Sequence, residues 1–170
     1  GEVAAFKKLR GIVVGEPTNL RPVVAHNGAL RWRTITRGVA AHSADPTKGR
    51  SAIHAMLRVV EALEARFLPQ ANREFALTGR AAASINVIRG GSAVNIIPER
   101  AVCEFSVRAR DLEELARVQA IVERCAKGAA LACGVNVEVV PRTGYKDVVT
   151  NLVMARRFGV HLRSFGRDPA

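Results

Sequence analysis

The spacing of apolar residues changes period several times along the chain. From Arg50 to Phe67 the residues Ile53, Met56, Leu57, Val60, Leu63 and Phe67 fall three or four apart. That spacing predicts an amphipathic helix, closed by Pro69. Elsewhere the period is two. Leu30, Trp32 and Thr34 alternate with Arg31 and Arg33 inside residues 22–36. In residues 99–108, Ala101, Cys103, Phe105 and Val107 alternate with Val102, Glu104, Ser106 and Arg108. Such alternation marks strands with one buried face. Residues 81–88, before a Gly90-Gly91 turn, and Val135, Val137 and Val139 predict two further strands. Asp111 followed by Glu114 has the form of a capping box. It opens a second helix with Leu112, Leu115, Val118, Val122 and Cys125 on one side, running to about Cys133 and ended by Gly134.

The predicted order is strand, helix, strand, strand, helix, strand. This is the α+β class, as a ferredoxin-like βαββαβ plait: a four-stranded antiparallel sheet with two helices on one face. The other face is left open, with Arg108 on it. Two segments have no place in such a plait. Gly11 to Val14 read as the end of a short buried strand that stops at Gly15-Glu16-Pro17-Thr18. Residues 147–165 read as a third helix with a basic outer face. The expected organisation is a stub over 1–20, the plait over 21–141 and a return segment over 142–170.

Charge changes the picture less than its size suggests. Twenty-six Lys and Arg against 15 Asp and Glu give +11, which suits an anionic partner. The arginines are scattered, however, and one Trp, one Tyr and six Phe stock a base-stacking platform poorly. The expected open-face residues of the middle strands are Ser84, Asn86, Ile88, Val102, Glu104, Ser106 and Arg108, with no ring among them. A nucleic-acid-binding plait is therefore the weaker alternative, and a solvated basic surface the stronger. Cys103, Cys125 and Cys133 lack CxxC spacing and read as reduced core thiols of a cytoplasmic protein. No apolar run approaches the roughly 20 residues of a bilayer span, and no charged-then-apolar signal segment opens the chain, so no membrane partner is expected.

Self-contained chemistry is hard to find. There is no HExxH, no phosphate-binding glycine loop and no GxSxG elbow. His26, His42, His54 and His161 are too far apart in sequence to suggest a site by spacing. His42 stands alone among small residues, in RGVAAHSADPTKGRSA.

Three stretches, in series, resemble the metal-dependent M20 peptidase and amidohydrolase family. They are GEPT at 15–18, RGVAAHSADPTKGRSAI at 37–53, and GGSAVNIIPERAVCEFSVR at 90–108. The family includes acetylornithine deacetylase, succinyl-diaminopimelate desuccinylase, aminoacylase and carboxypeptidase G2. The resemblance implies a lid, also the dimerisation domain, inserted in a larger catalytic domain that binds two zinc ions. Residue by residue, it implies that Glu16 is a metal ligand and that His42 reaches the partner subunit's active site to contact the scissile carbonyl. It further implies that Asn95 hydrogen-bonds substrate and that Arg108 holds the substrate carboxylate. The family's other metal ligands and its general-base glutamate have no match in this chain, so the 170 residues by themselves are expected to be inactive and free of zinc. The implied activity of the parent is hydrolysis of N-acyl amino acids or small peptides, as a homodimer paired through the lid. A purely structural homodimerisation module is the other alternative.

Overall fold

A computed structural model of the chain describes residues 13–15, 18–19, 21–69, 72–73, 81–147 and 150–167. Its strands are β1 (Gly28–Arg37), β2 (Ala41–His42), β3 (Ala81–Gly90), β4 (Ile96–Ile97), β5 (Arg100–Ala109) and β6 (Asn136–Tyr145). Its helices are α1 (Ala52–Arg66), α2 (Leu112–Cys133) and α3 (Leu152–Ser164), with a short 3-10 turn at Pro46–Lys48. The long strands form one sheet in the order β3-β5-β1-β6, and every pairing is antiparallel. β2 and β4 pair separately as a two-stranded ribbon. The chain divides into two compact units, Asn27–Asp147 and the two ends 1–26 and 148–170.

Alternation along the strands decides which sheet face is covered. Trp32 and Thr34 on β1, Cys103, Phe105 and Val107 on β5, and Ala81 and Ala83 on β3 are buried against the helices. Trp32 meets Phe105 edge to face at 5.7 Å between ring centroids. Truncating such a buried ring to Ala costs about 3–5 kcal/mol. Ala52, Met56, Val59 and Leu63 of α1, with Val118, Val122 and Ala126 of α2, close the core from above. Burial also pushes the Cys103 thiol up to about 11, so it behaves as a small apolar side chain.

Local signals end the helices. Ser51 caps α1 by accepting the His54 N–H at 3.2 Å, and Asp111 caps α2 by accepting the Glu114 N–H at 2.9 Å. Gly134 closes α2 in the left-handed region at φ 62°, which a Cβ would disfavour. Asn151 caps α3 through the Met154 N–H, so that helix starts later than the expected 147.

Other differences from the sequence reading have physical causes. Val13 and Val14, expected in a buried strand, are exposed and outside any strand, because a strand needs a sheet neighbour and they have none among the described residues. Gly11, Ile12 and Glu16 lie outside the described residues. The register of β3 on β5 shifts between Ile85 and Val87, at Asn86. This bulge brings Val87 and Arg89 to the open face opposite Glu104 and Val102, where Asn86 and Ile88 were expected. β6 runs past Pro141 to Tyr145, because a proline is tolerated on an edge strand beside a bulge. On the helices, Leu57 and Leu112 are exposed while Ala52, Ala55 and Val59 are buried, so the covered stripe is turned from the expected one.

Candidate functional site

The loop after β1 folds back to build a corner around His42. Val39 and Arg50 exchange backbone hydrogen bonds at 2.9 Å, tying both ends of the loop to each other. Inside it, Ala41 and His42 pair with Ile97 and Ile96. The Ser43 N–H donates to the carbonyl of Asn95 at 2.9 Å, which sets Asn95 beside the histidine turn. Two glycines leave room in the corner, one for backbone and one for side chains. A Cβ at Gly38 would overlap the Arg50 carbonyl, and one at Gly49 would meet Ile97 at 2.8 Å and Ala41 at 2.9 Å. His42 and Asn95 are both exposed.

The turn also selects a tautomer of His42. The Ala44 N–H donates to Nδ1 at 3.1 Å, so the neutral ring carries its proton at Nε2 and offers a donor there. Asp45, on the same turn, accepts from Lys48 and Thr47, and those bonds hold its carboxyl below the usual range.

Arg108 stands elsewhere. It lies on the open face near the far end of β5, while His42 and Asn95 sit beyond the start of that strand. Seven steps from Ala101 to Arg108, at about 3.3 Å each, separate the two ends by roughly 23 Å. A cavity of about 220 Å³ opens at the Arg108 end, lined by Ala29, Arg31, Ser106, Gly144 and Tyr145 as well as Arg108. Arg31 had no signal beyond strand alternation and Tyr145 none, lying in the expected return segment; only the pairing of Ala29 with both Arg108 and Tyr145 brings them together. Among the described residues Tyr145 is the single ring lining this cavity, too few for stacking successive bases.

A metal centre does not fit the described residues. Among them no three His, Cys, Asp or Glu side chains gather as a metal would require, and Glu16 is outside them. Among them too, no helix is long and apolar enough to cross a membrane.

Comparison with known proteins agrees with this architecture. Residues 24–132 match the family model for the peptidase dimerisation domain of M20 enzymes. A "Probable carboxypeptidase" of Ajellomyces capsulatus is 36% identical over 105 residues, covering 57% of this chain and 23% of that protein. A namesake from Paracoccidioides brasiliensis is 37% identical over the same length and shares. The chain thus spans about a quarter of the curated relatives it matches. Two solved structures share the fold. A tripeptidase from Staphylococcus aureus has a TM-score of 0.69 at 21% identity, over 88% of this chain and 38% of that one. Aminopeptidase PepT from Bacillus cereus has 0.67 at 21% identity, over 87% and 38%. With that model spanning more than half of its residues, His42, Asn95 and Arg108 among them, the chain belongs to the M20 peptidase dimerisation-domain family.

Proposed function

We propose that this chain is the lid and dimerisation part of a zinc-dependent M20 hydrolase that cleaves the amide bond of N-acyl amino acids or small peptides. The enzyme works as a cytoplasmic homodimer, and its zinc is held by Glu16 together with residues of the rest of the enzyme. His42 donates from Nε2 to the scissile carbonyl as its oxygen gains negative charge. Asn95, tied to the same turn, hydrogen-bonds the substrate. Arg108 takes the substrate carboxylate in its planar fork. The observation that carries this reading is the corner itself, which holds an exposed imidazole in a donor tautomer beside Asn95.

Distance then divides the labour. Two residues of extended peptide reach only about 7 Å. One lid therefore does not bring His42 and Arg108, which stand at opposite ends of a strand whose span from Ala101 to Arg108 is roughly 23 Å, to a single small substrate. Each active site takes His42 and Asn95 from one subunit and Arg108 from the other.

For the pairing edge we assign β3. The outer strand β6 carries Pro141, Glu138 and Arg142, which blunt an edge. Ala81 to Ile88 of β3 hold no charge, and Ile88 on that strand and Leu57 on α1 are exposed.

The test mixes two inactive full-length enzymes, His42→Ala and Arg108→Met. If the two side chains reach one site from different subunits, each mixed dimer has one intact site, and activity returns in part. A mixture that stays dead would place both side chains in one lid's contribution. Full activity of His42→Ala alone would leave only a structural dimerisation module.

A further inference from the structure

We propose that the cavity beside Arg108 holds a second carboxylate of the substrate through Arg31, so that the hydrolysed compound ends in an acidic residue, aspartate or glutamate. This rests on the reading of Arg108 as the group that holds the terminal carboxylate. The argument comes from the pattern of charge on the open face. β1 and β5 lie side by side there, and β1 presents Arg31, Arg33 and Arg37 to that face. Arg33 stands directly opposite Glu104 and bonds it at 2.9 Å through Nε. Arg37 bonds Glu138 of β6 at 2.7 Å. Two residues along from Arg33 the pattern breaks. Arg31 stands opposite Ser106, and Arg108 opposite Ala29. Neither guanidinium has a carboxylate partner among the described residues, and both line the same cavity.

Like charges on neighbouring strands repel unless an anion lies between them. Arg31 and Arg108 are diagonal neighbours on adjacent strands, about 7–8 Å apart and somewhat less between their Cβ atoms. The two carboxyl carbons of a glutamate residue are separated by four C–C bonds, roughly 5 Å when extended. Two long, planar side chains at that diagonal spacing suit two carboxylates on one residue, each in its own fork. The hydroxyl of Ser106 adds a neutral donor between them and brings no competing charge.

The experiment compares N-acetylglutamate with N-acetylglutamine, equal in shape and different in one charge, as substrates of the full-length enzyme. The wild type should favour the glutamate compound in kcat/KM by about 10- to 100-fold, the usual worth of a charged hydrogen bond. Arg31→Met should bring the glutamate compound down to the glutamine level and leave the glutamine compound unchanged. Arg108→Met should lower both. No preference in the wild type overturns the proposal. So does an equal fall for both compounds in Arg31→Met, which would mean that the two arginines clamp one carboxylate. A lowered melting temperature with unchanged discrimination would assign Arg31 to an ion pair within the full-length enzyme, and overturns it as well. If Arg108→Met changes neither compound, the reading of Arg108 fails on its own, whatever Arg31 does.

Discussion

The two ends of β5 hold the proposed site residues in different ways. At the His42 end the geometry is made of backbone: the Val39–Arg50 bridge, the Ser43–Asn95 bond and the Ala44 N–H on the imidazole. At the Arg108 end it is made of register, because β1, β5 and β6 bring Arg31, Arg108 and Tyr145 together on one face. A loop that depends on close backbone contacts tolerates no added bulk but leaves its histidine exposed and able to reach away from its own sheet. A strand position is rigid and tolerant of substitution, and its chemistry depends on what stands opposite. The corner is thus sensitive to shape and the cavity to charge.

The largest expected effect tests the corner's chemistry. His42→Ala in the full-length enzyme should lower turnover by about 10²–10³, the usual loss of one oxyanion donor. Its melting temperature should stay unchanged, since the side chain is exposed. A fall in melting temperature of the same variant would make His42 a structural residue. Next comes the corner's shape. Gly38→Ala places a Cβ on the Arg50 carbonyl and should destabilise the 170-residue chain by about 1–3 kcal/mol in urea unfolding. Arg108→Met, on an exposed strand position, should stay within about 0.5 kcal/mol. Equal losses would erase the contrast between the two ends.

Smaller effects sharpen the charge side. Ser106→Glu gives Arg31 the carboxylate that Arg33 already has in Glu104, two residues along. It should raise stability by about 0.2–1 kcal/mol while removing any preference for an acidic substrate. Unchanged preference would separate Arg31 from binding. The smallest effect concerns pH. The hydrogen bond from Arg33 holds the Glu104 carboxyl below its usual range. A carboxyl depressed in the folded state contributes stability above its unfolded value, and that contribution is lost as pH falls through the folded value. Glu104→Gln should therefore flatten the acid side of the stability profile slightly. An acid limb identical to the wild type's would show that the pair contributes nothing.

Much of the fold is legible because its signals are local. Asp111 and Gly134 bracket α2 in the sequence as they do in the structure, since a cap needs only its own turn. Trp32, Phe105 and Val107 announce the buried face by period alone. The stripe on α1 was less legible: Leu57 outranks Ala55 in hydrophobicity, yet Ala55 is buried, because close packing of helix on sheet favours a small residue there. For the site, His42, Asn95 and Arg108 were reached through resemblance, and nothing in their spacing shows that two share a corner while the third lies at the far end.

The sequence by itself determined the long strands and helices, the two ends of α2, the buried faces of β1 and β5 and the order that makes a plait, all through interactions within a turn or along a strand. Only the tertiary structure decided three further things. The bulge at Asn86 shifts the register of β3 from there on, so that Val87 and Arg89 stand opposite Glu104 and Val102. The loop closure brings Asn95 to His42 across some fifty intervening positions. The register of β1 on β5 gives Arg33 a glutamate and Arg31 a serine. Each of these is a relation between distant segments, and its energy exists only after backbone hydrogen bonds have set one strand against another.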